Sequence, residues 1–510
     1  MTAPGRWAGV LLHPTSLPGR FGAGDLGPAA VAFLDWLARA GQNVWQVLPL
    51  GPVDIVGSPY GTTSAFAGNP LLISPERLVE DGLLPADALD SAPPFAPDGL
   101  DFARVAAWKE PLLRRAHDGL RALPEGAAVR SELAAWTAAP EQEPWLPDWA
   151  LFAALKRRHG GLPWTQWPEP LRRRAPEALD SARRELAEEI AFESFRQAIF
   201  ARQWNRVRAE AAAREIGILG DLPIYLAGDC ADLWARPELF DLDSDGNPTK
   251  VAGVPPDYFS ADGQLWGNPL YVWERHVDEG FAWWIARLRV QLARHEFLRL
   301  DHFRGFQAYW ELPAGAPTAR DGRWVPGPGR ALFDAARAAL GELPLVAEDL
   351  GYITPEVDEL RRGLELPGMK VLQFAFGADG SDHAPHRLTR DTVIYTGTHD
   401  NDTARGWFAS LSRADRRRAL VYLGGTAKGV AWSMVRAAYS SVAQLAVVPV
   451  QDLLDLGSEA RLNTPGVPSG NWIWRLVDGQ LTGELADRVA ELAAVTGRAP
   501  APKTSESRSP

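Results

Sequence analysis

Short apolar runs that end in polar residues recur along the chain. They are GVLLHP (9–14), NVWQVLPL (43–50), IGILGDLPI (216–224), FLRLDH (297–302), LVAEDL (345–350), KVLQFAF (370–376), TVIYTGTHD (392–400) and QLAVVPVQDLL (444–454). Most are apolar on both pleat faces, which predicts strands buried on both sides. Between most of them, apolar residues return at three- and four-residue spacing, as in 28–42, 281–297, 330–342 and 354–364. That spacing predicts amphipathic helices. The last of these has a readable start: Thr354 as N-cap, Pro355 at the first helical position and Glu356 in the first turn. Strand alternating with helix over eight units predicts a (β/α)8 TIM barrel. A doubly wound open sheet is the competing arrangement, but eight units favour closure.

The spacing is uneven. About 165 residues (51–215) separate the second and third runs, too many for one loop. They include SAPPFAPDG (91–99) and a long helical pattern over about 170–214. This predicts one catalytic barrel over 1–498 with mainly helical subdomains inserted around its mouth, at about 51–215 and 225–275. The polar, proline-containing tail 499–510 is expected to be disordered.

Composition narrows the function. A net charge of -11 argues against a nucleic-acid partner, which would want a basic face. The lone Cys230 permits no internal disulfide and no cysteine metal cluster, which suits the cytoplasm. MTAPGRWAGVLLHP has no basic segment followed by a long apolar run, and no stretch approaches a membrane span. The 21 Trp against 9 Tyr have two readings: a tryptophan-rich core, or flat faces that stack on sugar rings.

The polar strand ends hold the chemistry: Asp221, Asp301, Glu348, His399, Asp400 and Asp452. In such barrels the active site lies at the C-terminal end of the strands. Asp301 and Glu348 end neighbouring strands about 4.8 Å apart. Two carboxyl groups about 5–5.5 Å apart suit a retaining glycoside mechanism, with one as nucleophile and the other as acid/base. Arg299, two residues before Asp301, shares its strand face and would orient it. Asp349 points to the other face, a structural position. Asp400 with His399 would hold sugar hydroxyls and stabilise an oxocarbenium-like transition state. Plainer readings stay open: a buried Asp301–Arg304 pair, or a metal on His302, Glu348 and His399, although no HExxH-like spacing supports the latter. No GxSxG turn and no phosphate-binding glycine loop is present. Two aromatic loops suit carbohydrate: SPYGTTSAFAGNP (58–70), with Tyr60 and Phe66, and PPDYFSADGQLWGNPLYVW (255–273), with Tyr258, Phe259, Trp266 and Tyr271.

Taken together, GVLLHPTSLPG, QNVWQVLPLGP, SPYGTTSAFAGNP, GDLPIYLA, GVPPDYFSADGQLWGNPLY, LRLDHFRGF, VAEDLG, YTGTHDND and RLNTPGVPSGNWIWR resemble the 4-α-glucanotransferases of glycoside hydrolase family 77. The resemblance covers nearly all the chain. It implies a retaining transferase with no cofactor and no metal, acting on maltooligosaccharides, amylose or starch-type α-1,4-glucans, with glucose as an acceptor. It implies Asp301 as nucleophile, Glu348 as acid/base and Asp400 as transition-state stabiliser. Tyr60, Asp221, Tyr258, Phe259, Trp266, Arg299 and His399 would bind or support the substrate. Two positions depart from the family pattern. Gly377 and Ala378 follow QFAF where an acid is expected, and PHRL (385–388) has Leu388 in place of an aromatic. A hydrolase on the same barrel and an inactive glucan-binding protein are the rival readings.

Overall fold

The computed structural model describes residues 5–53, 56–256, 262–377 and 381–500. Twelve strands form: β1 (Trp7–Leu11), β2 (Val44–Gln46), β3 (Gly217–Pro223), β4 (Lys250–Val254), β5 (Gln264–Pro269), β6 (Phe297–Asp301), β7 (Ala308–Pro313), β8 (Arg323–Pro326), β9 (Leu345–Ala347), β10 (Gly368–Val371), β11 (Thr392–Tyr395) and β12 (Leu445–Pro449). Eight of them close a barrel in the order β1-β12-β11-β10-β9-β6-β3-β2. Neighbouring barrel strands run parallel. These eight arise from the eight apolar runs, so the sheet is closed and not doubly wound.

Alternation explains how runs apolar on both faces are used. One set of side chains fills the lumen: Leu11, Val44, Leu219, Val346, Met369, Val371, Val393, Tyr395, Leu445 and Val447 form one buried cluster. The alternate set, including Val10, Trp45, Ile218, Leu298 and Leu300, packs outward against helices. Burying β-branched and aliphatic side chains on both faces is what a parallel sheet requires.

Several strands stop before the predicted run does. LQFAF forms a 3-10 helix (Leu372–Phe376) and VQDL a short helix (Val450–Leu453). An apolar run does not by itself distinguish a strand from a buried helical turn. Thr354 does occupy the N-cap of the helix Pro355–Gly363, but its side chain makes no cap bond to the backbone.

Between β2 and β3 the chain is largely helical and ends in the 27-residue helix Ala187–Ala213. A second sheet, β5-β4-β7-β8, is antiparallel throughout and has no counterpart among the apolar runs. Its strands are short and β4 and β5 contain glycine, so their alternation is weak in the sequence. The tryptophans are mostly core. Trp45, Trp164, Trp204, Trp234 and Trp284 are fully buried. The indole N–H groups of Trp45, Trp164, Trp204 and Trp234 reach backbone carbonyls at 2.8–3.0 Å. No helix among the described residues is long and apolar enough to cross a membrane. Of the tail, residues 501–510 lie outside the described residues.

Candidate active site

Parallel register brings the polar strand ends to one rim. Asp221 on β3 lies opposite Arg299 on β6. Leu300 lies opposite Ala347, so Asp301 and Glu348 follow on adjacent strands at the same level. The His399–Asp400 pair leaves the C-terminal end of β11.

Arg299 is the hub. It is buried, and each of its nitrogens has a partner. Nη1 donates to both oxygens of Asp221 at 2.8 and 2.7 Å. Nη2 is 2.7 Å from Asp301 Oδ1. Nε donates to Met369 Sδ at 3.3 Å. Burial opposes its charge, but Asp221 and Asp301 more than offset this and hold the guanidinium well above its ordinary pKa. With three directions held, the fork has one orientation and fixes both carboxylates. Arg304 does not pair with Asp301. Its guanidinium lies 3.5 Å over the Trp324 ring and donates to the Tyr352 carbonyl.

Asp221 is also buried, which raises its pKa even though Arg299 pulls the other way. It accepts the Tyr60 hydroxyl at 2.8 Å. Burial, with Asp221 second, pushes that phenol well above its usual range, so Tyr60 stays a donor. Its ring stacks on His399 with centroids 5.0 Å apart, and Trp472 lies against it at 5.9 Å.

Glu348 is buried and its pKa is pushed up to about 8. Burial is the largest cause. Arg299 works against it and Asp301 adds to it. Its two oxygens accept the backbone N–H groups of His302 (2.8 Å) and Leu350 (2.9 Å). The His302 amide turns inward because that residue has φ 51°, a left-handed conformation uncommon outside glycine and asparagine. The Asp301 side chain, by contrast, is 28% exposed and faces the opening. The two neighbouring carboxyls thus differ: one is buried and proton-retaining at neutral pH, the other more open and ion-paired.

Asp400 Oδ1 accepts Asn463 Nδ2 at 2.6 Å and lies 3.3 Å from His399 Nε2. Arg461 Nη2 holds the Asp400 carbonyl at 2.7 Å. Trp266, 37% exposed, sets its ring edge-on to His302 at 4.7 Å. Tyr258 and Phe259 lie outside the described residues.

Some expected members fall elsewhere. Asp452 is buried and accepts Thr396 Oγ1 (2.5 Å) and the Ala404 amide (2.7 Å), which anchors the start of the helix Ala404–Ser410. Phe66 packs with Trp145 and Trp283, and Tyr271 donates to the Ile224 carbonyl in the core. Asp349 turns away as expected, to the Met369 amide and Arg361. Leu388 is half-buried and packs against the main core. Met369 and Asn463 escaped the sequence reading. Methionine carries no chemical signature, and Asn463 lies in a loop more than 60 residues beyond Asp400.

Among the described residues, no group of three or more His, Cys, Asp or Glu is arranged to hold a metal ion. His302 and His399 turn their rings to Trp266 and Tyr60.

The model of glycoside hydrolase family 77, described as 4-alpha-glucanotransferase, matches residues 12–480. A 4-alpha-glucanotransferase of Thermus thermophilus is 50% identical over 501 residues, covering 96% of this chain and 98% of its own. One from Synechocystis sp. is 49% identical, covering 97% and 98%. The structure of an amylomaltase from Streptococcus agalactiae, in complex with acarbose, superposes with a TM-score of 0.93 at 37% identity, over 97% of this chain and 100% of that one. An amylomaltase from Corynebacterium glutamicum shares the fold at 18% identity and a TM-score of 0.79, over 97% of this chain and 75% of that one.

Proposed function

The chain belongs to glycoside hydrolase family 77 and has its 4-alpha-glucanotransferase activity; on that premise we propose a retaining double displacement through a covalent glycosyl-enzyme on Asp301. In the first step an Asp301 oxygen forms a bond to the anomeric carbon as the glycosidic C–O bond breaks, and the Glu348 proton passes to the departing O4. In the second, an acceptor 4-hydroxyl gives its proton to Glu348 and its oxygen attacks the same carbon, releasing Asp301. Two inversions give net retention, and Glu348 ends as it began.

The observation that carries this reading is the contrast between the two carboxyls. Glu348, with its pKa pushed up to about 8 by burial, is a proton donor at neutral pH beside an open, Arg299-oriented Asp301. Adjacent strands in register support the short separation of a retaining pair. Asp400, held by Asn463, and His399 bind hydroxyls of the reacting sugar. Tyr60, Asp221 and Arg299 keep the nucleophile aligned, and Trp266, with Tyr258 and Phe259, receives further sugar units.

The substrates are α-1,4-glucans: maltooligosaccharides or amylose as donors, with glucose or another maltooligosaccharide as acceptor. Acarbose in the Streptococcus agalactiae relative supports that class. The segments 51–215 and 225–275 are inserted subdomains that cover the mouth, exclude water and favour transfer over hydrolysis. The buried thiol Cys230 suits the cytoplasm as the place of action.

The test is to incubate the protein with maltotriose alone and resolve products by chain length. A ladder of longer oligosaccharides plus glucose, with constant total reducing ends, is expected. It should fall by about a thousandfold or more in Asp301→Asn. Rising reducing ends with only maltose and glucose would mean hydrolysis and overturn the transferase reading.

A further inference from the structure

The loop that leaves Glu348 runs through Asp349, Leu350 and Gly351 to Tyr352. That ring is 64% exposed, the highest fraction of any aromatic among the described residues. An exposed tyrosine on a loop ordinarily means little. This one is braced. The Arg304 guanidinium lies 3.5 Å over Trp324 and 5.4 Å from the Tyr352 centroid, and it donates to the Tyr352 carbonyl. The Tyr352 and Trp324 rings are within 21° of parallel at 6.5 Å. Trp324 on β8 packs edge-on against its cross-strand partner Trp310 on β7 at 5.1 Å. The Trp310 indole is pinned in turn to the Ala319 carbonyl at 2.9 Å. A ring held in this way loses little conformational entropy when a ligand stacks on it.

Its position is equally specific. His302 and Arg304 lie one and three residues after Asp301, and each touches a tryptophan on an opposite edge of the four-stranded sheet: Trp266 on β5 and Trp324 on β8. Three interstrand steps of about 4.8 Å separate these two edges by ~14 Å. Glu348 protonates the departing oxygen in the function proposed above, and this inference rests on that reading. The side of the cleft it occupies, and the loop it begins, therefore face the acceptor.

We propose that Tyr352, backed by Trp324 and Arg304, is an outer acceptor subsite for α-1,4-glucan, a fixed aromatic shelf on which a glucosyl ring several units beyond the transfer point stacks. Apolar sugar ring faces suit a flat aromatic, and the buried guanidinium beneath holds the ring's loop in place. Glucose and maltose are too short to reach the shelf, whereas longer acceptors cover it. The shelf thus makes acceptor preference depend on chain length.

Acceptor competition tests this, with the donor fixed and labelled glucose and labelled maltohexaose as acceptors. In Tyr352→Ala the ratio of kcat/KM for maltohexaose over glucose is expected to fall five- to tenfold, while Tyr352→Phe keeps the wild-type ratio. An unaltered ratio in Tyr352→Ala, or an equal fall for both acceptors, overturns the shelf. Titration of maltoheptaose into Asp301→Asn protein, with and without Tyr352→Ala, reads the shelf without turnover. Equal affinities there also overturn it. Absence of transfer by the wild-type protein would instead overturn the function on which the inference rests, so the two failures are distinguishable.

Discussion

In the proposed mechanism Glu348 is the acid because it is buried, and the cost of that burial is measurable. Its folded pKa of about 8 lies above the ordinary value of 4.5. The folded protein therefore keeps a proton that the unfolded chain releases above about pH 4.5. The stabilisation this gives is complete below that pH and is lost as pH rises through about 8. Two outcomes follow from the same sign. The kcat/KM of the wild-type protein should fall above about pH 8, as the acid is lost. Glu348→Gln should be inactive, and its melting temperature relative to wild type should rise between about pH 5 and 8 and level off beyond, in thermal melts across that range; a pH-independent difference would contradict the raised pKa. Met369 tests the other half of the pair. Met369→Leu leaves Arg299 Nε–H without its 3.3 Å acceptor in a buried site. An unsatisfied donor costs about 1–3 kcal/mol, and here it loosens the fork that orients Asp301. We expect kcat to drop about tenfold with KM little changed, and Met369→Gln, whose amide oxygen accepts, to restore part of it. A fall in stability with unchanged kcat would assign Met369 to packing alone.

At the scale of elements, the long helix Ala187–Ala213 positions the loop that carries Tyr60. Gln197 on this helix accepts the Gly68 amide at 2.7 Å and donates to the Gly68 carbonyl at 3.0 Å. Gln203 does the same for Ser74 at 2.7 and 3.1 Å. Each amide side chain acts as one rung of a sheet for a loop that has none. Gly68 must lie close to the helix, since a Cβ there would sit 2.1 Å from the Phe200 ring. Gln197→Ala leaves both backbone groups of Gly68 buried and unpaired. It should destabilise the protein by about 2 kcal/mol or more, seen in denaturant unfolding. It should also lower kcat, because the 58–70 segment also presents Tyr60 to Asp221.

Across the whole molecule, closure of the barrel brings the first and last barrel strands together, and Arg498 clasps the join. Fully buried, it donates to the carbonyls of Trp7 (2.7 Å), Tyr439 (2.7 Å), Ser441 (3.1 Å) and Ala443 (2.8 Å). Burial lowers its pKa to about 10, still charged at neutral pH. Arg498→Met keeps most of the volume and removes every donor. A loss on the order of 3 kcal/mol is expected, read as a lower melting temperature, with kcat near that of wild type in the cold because the active site lies at the far end of the strands. A large loss of kcat without loss of stability would contradict this role.

The barrel and its rim are already written in the chain's local pattern. Eight runs, most of them apolar on both pleat faces, call for a sheet covered on both sides, and their polar ends mark where the strands leave it. Asp301, Glu348 and Asp400 were therefore legible from local pattern and family resemblance together. Which polar ends meet at one rim depends on the folded chain. Asp452 and Asp400 look alike in sequence, yet one anchors a helix and the other meets Asn463 across the fold. The folded chain also decided the partner of Arg299 on the far side, Met369, and the four-stranded sheet with its aromatic edges. Each depends on contacts between residues distant in sequence, which residue type and local periodicity do not encode.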